Sequence, residues 1–171
     1  IASRPPGPSA VGCGALISRT APLARDLAPL FDVEPEQAFA LGLLHDVGKL
    51  AIFDRIASLR TQNRSSLELP PRLVSPLLRL THAPLGAAIA LSWHLGSPVA
   101  RALYTHHRDG EFKGEALSEV LCLAEVMDLH STARRPVEPE TLWKECALSG
   151  TPDRFQELMA AAGLATEEPG E

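Results

Sequence analysis

The positions of the prolines constrain the fold of this chain more than any other feature of its sequence. Fifteen prolines are distributed over 171 residues, and several stand just ahead of a segment with helical character: Pro35, Pro84, Pro98, Pro139 and Pro152. Proline is tolerated in the first turn of a helix because its missing N–H would have no partner within the helix. Val, Ile and Thr nowhere form the alternating runs of a strand, whereas Ala and Leu supply much of the apolar content. The sequence therefore predicts an all-α domain.

The predicted helix boundaries follow from the positions of prolines, glycines and N-cap residues. We expect helices near residues 15–30, 35–46, 49–60, 71–80, 84–95, 98–107, 115–133, 139–148 and 152–162. Pro22 and Pro29 should kink or shorten the first of them. Ser97 and Thr151 are placed as N-caps. Three glycines are placed to end helices, namely Gly48, Gly150 and Gly163.

The length of the chain suits a single domain with a substantial core. We predict a flexible proline-rich lead over residues 1–13, a helical domain over residues 14–163 and an acidic disordered tail over residues 164–171. The chain begins at Ile1 rather than Met, which favours a piece of a longer protein.

Charge, hydropathy and cysteine content narrow the classes of function. The chain has 16 bases against 21 acids and a net charge of −5, so general nucleic-acid binding is disfavoured. The longest apolar stretches, such as residues 86–91, are far shorter than the roughly 18 residues that span a bilayer, and we expect no membrane span. The three cysteines lie far apart without a CxxC pair, which predicts a reduced, cytoplasmic protein.

Two segments place titratable side chains where the helical pattern expects core residues. Residues 41–49 end an apolar helix with His45 and Asp46, and a helix that is apolar nearly all round carries Glu125 and Asp128 on one face. A buried carboxylate needs a cation, a hydrogen-bond donor or a metal, because removing its charge from water costs several kcal/mol. The alternative is structural: the aspartate bonds to local amides, and the histidine is satisfied in the core.

Three further histidines make a third candidate group. His82 precedes a predicted helix, and His106 and His107 end another. Since neighbouring helical positions point about 100° apart, we expect only one of His106 and His107 to serve a site while the other packs or caps. The remaining histidines have no such context and are predicted to be ordinary surface or packing residues: His94 and His130.

Imidazoles and carboxylates from several helices are together the ligand set of a divalent ion such as Mn, Fe, Ni or Zn. A metal ion held with open positions can convert bound water into a hydroxide that attacks a phosphoester. No HExxH, EF-hand or paired CxxC pattern occurs. Any metal site must therefore be assembled by the fold.

The order of these motifs resembles a known superfamily. The run His45-Asp46-Val47-Gly48-Lys49 is similar to the His-Asp doublet of the HD superfamily of metal-dependent phosphohydrolases. Residues 81–88, residues 93–98 and the pair at 106–107 resemble one branch, the HDOD domain, a bacterial signalling relative, and the similarity covers about residues 14–135. The resemblance implies an HD-domain-like helical bundle and a divalent metal ion (Mn, Fe, Ni, Zn or Mg). It also implies a catalytic role for Asp46, a substrate phosphate at Lys49 and metal ligands at His45, Asp46, His82, His106 and Glu125.

Two departures from the superfamily pattern bear on catalysis. Its enzymes carry a further metal-binding histidine on the helix before the doublet, whereas this chain has no histidine before His45, and the matching position is close to Ser18. The last ligand, normally Asp, is Glu125, which is one methylene longer. Residues 124–128 also resemble the HD-GYP hydrolases of cyclic di-GMP, but residues 111–114 replace the Gly-Tyr-Pro signature.

These observations leave three hypotheses and do not predict an oligomeric state. The first is a regulatory signal-transduction module of the HDOD type, which binds a signalling protein or a phosphorylated small molecule and has an incomplete metal site. The second is an active metal-dependent phosphohydrolase acting on a nucleotide or cyclic dinucleotide. The third is a scaffold in which the histidines and carboxylates satisfy one another and no metal binds. We favour the first.

Overall fold

The computed structural model describes residues 19–63, 70–108, 111, 113–133 and 138–161. Within these ranges the chain forms helices and no strand, which confirms the all-α prediction. A short 3-10 helix, Ala28–Phe31, follows the first α-helix directly. The α-helices are α1 (Thr20–Leu27), α2 (Pro35–Leu44), α3 (Val47–Asn63), α4 (Pro71–Ser92), α5 (Ser97–Thr105), α6 (Ala116–Thr132), α7 (Pro139–Glu145) and α8 (Pro152–Ala161). The predicted lead and tail, together with Ser18 and Gly163, lie outside the described residues.

The largest error in the predicted helix map concerns α4. The segments predicted at 71–80 and 84–95 form one continuous helix, with Pro76 and Pro84 in its interior. Both prolines are exposed, and so are the residues four positions earlier, whose carbonyls lose their N–H partner. Because this side of the helix is exposed, water can satisfy those carbonyls, and the helix continues through both prolines so that Pro84 does not begin a new one.

The capping predictions are confirmed at one helix and wrong at another. Thr151 accepts a hydrogen bond from the amide of Arg154 at 3.4 Å and so caps α8. Ser97 is instead the first residue of α5, because Gly96, with a φ of 92°, occupies the N-cap position. The first helix is shortened as expected: α1 ends at Leu27, and Pro29 lies in the 3-10 turn that follows.

Helix α6 lies at the centre of the molecule and contributes to two clusters of buried apolar side chains. Val120 and Leu123 pack in the larger cluster with residues of α1, α2, α7 and α8, and Leu121 packs in the smaller cluster with residues of α2, α4 and α5. The all-round apolar character of this helix therefore has its expected physical cause, since it is covered on several sides.

Glu119, also on α6, is a buried carboxylate with a structural role. It accepts hydrogen bonds from the amide of Gly114 at 2.7 Å, the amide of Ser149 at 3.0 Å and the hydroxyl of Ser149 at 2.8 Å. These bonds fasten the segment before α6 to the segment before α8. A cavity of about 260 Å³ lies beside Glu119, but the carboxylate of Glu119 already accepts three hydrogen bonds.

Gly48 does not end a helix as predicted; it lies in the first turn of α3, where α3 crosses α4. A Cβ at this position would stand 2.0 Å from the backbone carbonyl oxygen of His82. Only glycine permits this approach, since any other side chain would clash with backbone that cannot move aside. The crossing therefore brings the turn that carries His45 and Asp46 against the middle of α4.

One described helix, from Arg72 to Ser92, is long and apolar enough to cross a membrane by length and composition alone, with a mean hydropathy of 1.2. A helix that packs inside a protein core passes the same test. This helix includes Arg72 and Arg79, and it packs against α3 and α5.

We expect Gly48→Ala to lower the free energy of unfolding by about 3 kcal/mol, because the added methyl group forces α3 and α4 apart. Gly86→Ala is the matched control on the facing helix, since its Cβ would meet its nearest atoms at 3.7 Å, which is ordinary contact. That control should be neutral or stabilising by up to about 1 kcal/mol. Urea denaturation followed by circular dichroism measures both, and equal stabilities of the two variants would contradict the close crossing.

Candidate metal centre

Four structural elements bring the predicted site residues to one place. His45 and Asp46 form the turn between α2 and α3, His82 lies in the middle of α4, and His106 follows the last residue of α5. Glu125 projects from the central helix α6, with its Oε1 atom 3.7 Å from Nε2 of His45. The crossing at Gly48 sets the distance between the first and second of these elements.

Three of the histidine rings are held in the same way by their own backbone. The Nδ1 atom of His45 lies 2.7 Å from the carbonyl oxygen of Gly42, that of His82 lies 2.6 Å from Leu78, and that of His106 lies 2.7 Å from Leu103. A carbonyl oxygen only accepts hydrogen bonds, so in each ring Nδ1 carries the proton and donates it. When such a ring is neutral, its Nε2 atom presents a lone pair.

The Nε2 atoms of His82 and His106 are buried and have no hydrogen-bond partner within the described part of the chain. The side chains are nearly inaccessible, with 1% of His82 and 3% of His106 exposed. An unsatisfied buried acceptor costs about 1–3 kcal/mol. Metal-binding histidines characteristically donate their other ring nitrogen to a carbonyl or carboxylate. The donor set therefore fits a metal ion, which would satisfy both lone pairs.

His107 joins this group, contrary to the expectation that only one of His106 and His107 faces the site while the other packs or caps. One ligand atom from each of His82, His106 and His107 lies within 4.8 Å of the other two. The ring centroids of His106 and His107 are 4.0 Å apart. The expectation is wrong although His106 keeps helical φ and ψ, because two adjacent imidazole rings can approach one point even when their positions differ by about 100° around the axis.

The carboxylate of Asp46 connects the histidines to Lys49. Its Oδ2 atom lies 3.4 Å from Nε2 of His45, and its Oδ1 atom lies 3.9 Å from Nε2 of His82. The ammonium group of Lys49 stands 2.7 Å from Oδ1 and 2.8 Å from Oδ2, with hydrogen-bond geometry at Oδ2. In this structure Lys49 therefore neutralises Asp46 and is not directed at a substrate phosphate.

Burial shifts the pKa values of the site histidines and of Glu125 in opposite directions. Burial lowers the pKa of His106 to about 3 and that of His107 to about 4, with neighbouring histidines adding to the effect, and it also lowers the pKa of His82. Burial raises the pKa of Glu125 to about 7, and the charge of Asp46 adds to this shift although His45 opposes it. The histidines are therefore neutral and ready to bind a cation at pH 7.

His45 and Asp46 each favour the charged form of the other. Burial disfavours the charge on both groups, but their mutual hydrogen bond and attraction outweigh it. The pKa of His45 is therefore raised, and that of Asp46 is held well below its ordinary value, with Lys49 contributing to the latter. Thus His45 differs from the other three histidines, whose pKa values are lowered.

A cavity of about 500 Å³ opens beside the cluster and runs along α6. Thr20 of α1 lines it and donates a hydrogen bond of 3.4 Å to Oδ2 of Asp128. Ser18, the position expected to replace the superfamily histidine, lies outside the described residues, and sequence reasoning did not identify Thr20. Among the residues that the structure describes, the lining contains no lysine or arginine, and its acidic residues are Asp46, Glu125, Asp128 and Glu145.

The two histidines predicted to be surface or packing residues are outside the cluster. His94 is exposed in the turn after α4. His130 is buried, and its Nε2 atom lies 2.7 Å from Oε2 of Glu145 across α6 and α7. The structure thus brings together every residue predicted as a ligand, adds His107, and leaves their binding of a metal as a prediction.

We expect nitrogen-15 NMR at pH 7 to find His82 and His106 in the Nδ1–H form, since both rings donate from Nδ1 to a carbonyl. His106 should stay neutral down to pH 5, because its pKa in the folded protein is lowered to about 3, whereas in urea it should titrate near 6.5. The unfolded chain then binds protons that the folded chain does not, so this histidine weakens stability as pH falls below about 6.5. Titration of His106 near pH 6.5 in the folded protein would contradict its burial.

Comparison with known proteins assigns the chain to a family. The profile of the HDOD domain matches residues 15–109, which is more than half of the chain. A comparison with curated proteins found no match. The chain is similar to the crystal structure of a protein from Shewanella amazonensis SB2B named as a candidate phosphohydrolase, with a TM-score of 0.57 and 17% sequence identity. That likeness covers 92% of this chain and 65% of the other, so this chain spans less than two thirds of that protein.

At 17% identity the structural likeness shows the fold alone, and it agrees with the helical bundle implied by the His-Asp doublet. The family profile is independent of it and ends just beyond the His106-His107 pair. The chain belongs to the HDOD domain family.

Proposed function

We propose that this chain is a signal-transduction module that binds a divalent metal ion in the histidine cluster and acts by binding a partner, not by hydrolysis. The observation that carries the metal site is the pair of buried, unpartnered Nε2 atoms on His82 and His106, whose rings are held from behind by backbone carbonyls. A purely structural role would leave both lone pairs unsatisfied.

Three histidines with lowered pKa values and two carboxylates are available to hold the ion, whereas His45 is paired with Asp46. His82, His106 and His107 supply neutral imidazoles within 4.8 Å of one another, and Asp46 approaches them through His82. Imidazole suits Zn, Fe and Ni, whereas Mg prefers oxygen ligands. A bound ion would supply positive charge and Lewis acidity beside the carboxylates of Asp46 and Glu125.

The same geometry disfavours hydrolysis of a phosphate ester. Lys49 is held by Asp46 at 2.7 and 2.8 Å, and the described residues of the cavity lining include four carboxylates and no lysine or arginine. Within the part of the chain that the structure describes, a phosphate in this cavity would therefore meet no free ammonium or guanidinium group. The module is therefore better suited to binding a signalling protein than to hydrolysis. We propose that it does so in the cytoplasm of a bacterium.

A metal-dependent phosphohydrolase is the second candidate, acting on a nucleotide or cyclic dinucleotide. The observation in its favour is the cavity of about 500 Å³ beside His106 and Glu125, because small-molecule sites have volumes of about 300–1,000 Å³. In that case His45, Asp46, His106 and Glu125 would hold the ion, and Lys49 would have to leave Asp46 to reach the substrate.

We expect untagged protein loaded with Zn²⁺ and then desalted to retain about one ion or more per chain by elemental mass spectrometry. His106→Ala and His82→Ala should each weaken binding at least tenfold, which is about the loss caused by removing even an outer partner of a metal site. His94→Asn is the matched control, because His94 is exposed and its φ of 58° suits asparagine. Equal zinc retention by all four proteins, or none by the wild type, would refute the metal site.

Metal-loaded protein should hydrolyse neither bis(p-nitrophenyl) phosphate nor cyclic di-GMP faster than Asp46→Ala does, since no lysine or arginine among the described lining residues receives a phosphate. Chromatographic analysis of the products measures both reactions. Metal-dependent turnover that disappears in Asp46→Ala would overturn the binding role and establish the phosphohydrolase.

A further inference from the structure

Helices α3 and α4 form an arm that extends from the helical body. Helix α3 packs mainly against α4, and of residues 47–62 only Gly48 is buried. No residue of the first part of α4, residues 72–81, is buried either. This part of the fold therefore leaves a large fraction of its surface to solvent.

The outer face of α4 carries an uninterrupted line of exposed apolar residues, which we call the α4 stripe. Its members recur every third or fourth residue, and so share one side of the helix over about 27 Å. They are Leu73, Leu77, Leu80, Pro84, Ala88 and Leu91. Leu80 is 71% exposed and Leu73 is 56% exposed, which is unusual for a contiguous apolar patch unless something covers it.

The charges on the same helix are of one sign. Helix α4 contains Arg72 and Arg79 but no aspartate or glutamate over its 22 residues. Both arginines are exposed, and neither has an ionic partner among the described side chains. The chain as a whole has a net charge of −5, so this helix is a local exception to the charge of the protein.

We propose that the α4 stripe is the docking surface for an acidic amphipathic helix of a partner protein. A single straight line of apolar side chains matches the apolar face of another helix laid alongside it. Carboxylates flanking that face would pair with Arg72 and Arg79. The inference rests on the proposed binding role of the module, and it identifies the surface and the chemistry of the partner.

Charge favours this occupant over two others. A second copy of the chain would bring no carboxylate on its own α4 to meet the arginines. An anionic membrane would attract α4 but repel a protein with a net charge of −5.

The stripe and the histidine cluster use opposite faces of α4. His82 follows Leu73 by nine residues, which is about two and a half turns of helix, and its side chain is buried whereas that of Leu73 is exposed. A helix docked on the stripe would therefore leave the metal centre accessible.

The test uses two synthetic helical peptides as long as the stripe, with the same line of leucines and either glutamates or lysines beside it. Fluorescence anisotropy at low ionic strength should give saturable binding of the glutamate peptide to the whole chain, at least tenfold tighter than the lysine peptide. The double variant R72E/R79E should reverse that preference. Such a reversal depends on charge pairing at this face and would not arise from general stickiness.

Leu73→Ser and Leu80→Ser should each weaken binding of the glutamate peptide at least fivefold. Leu50→Ser is the matched control, because Leu50 is 57% exposed on the neighbouring helix α3, and it should bind as the wild type does. Circular dichroism would verify that each variant is folded. Weak binding that is equal in all variants would overturn the proposal.

Two other outcomes would also overturn it by identifying a different occupant. Vesicles of phosphatidylglycerol that bind the wild type but not Leu80→Ser, when neither peptide binds, would assign the stripe to a membrane surface. A dimer in sedimentation that Leu80→Ser dissociates would assign it to a second copy. Each measurement is made with Zn²⁺ and with EDTA, so a failure of docking is distinguishable from a failure of metal binding.

Discussion

The candidate site depends on the close crossing of α3 and α4. At this crossing Gly48 lies so near the carbonyl of His82 that no side chain fits between them. The turn with His45 and Asp46 leads directly into α3. The distance between α3 and α4 therefore also determines how close Asp46 comes to His82. That separation is 3.9 Å between Oδ1 and Nε2, and an additional methyl group at Gly48 would increase it.

Rigidity of the rings is the second property on which the site depends. A histidine held only by packing can rotate or change tautomer, whereas a hydrogen bond from Nδ1 to a carbonyl fixes both the ring plane and the position of the lone pair. Since His45, His82 and His106 all use a carbonyl three or four residues earlier, each helix end or helix turn orients its own ligand. The arrangement is local in origin and does not require distant residues to position the rings.

Local signals in the sequence predicted much of this structure. The buried helix with Glu125, the His-Asp pair at the end of α2, and most helix starts at proline follow from periodicity and the geometry of proline. Pro84 was misassigned because the sequence does not reveal that its side of α4 faces solvent. Likewise, the proximity of the His106 and His107 rings depends on how the two side chains are oriented, which the pattern of residue types does not contain.

The buried glutamates of α6 show the same limit of what the sequence alone can predict. Glu119 and Glu125 lie on one helix in similar apolar surroundings, and the sequence analysis identified only Glu125. The structure gives Glu119 one hydrogen-bond donor from Gly114, five residues earlier, and two from Ser149, thirty residues later, whereas Glu125 faces His45 and the cavity. What separates a structural acid from a candidate ligand is therefore the set of partners brought by the tertiary fold, which local pattern does not contain.

The small number of buried side chains in the α3–α4 arm has a consequence for its motion. Segments with few buried contacts open locally at a lower free-energy cost than the core, and their amide hydrogens exchange faster. Amides of α6, which belongs to both apolar clusters, should exchange only through global unfolding. His82 lies between the arm, which opens locally, and the core, which exchanges by global unfolding. An ion bound by both His82 and His106 would link the arm to α5. Amide exchange would then slow in the part of the arm nearest the core, so metal binding would reduce local opening along α4.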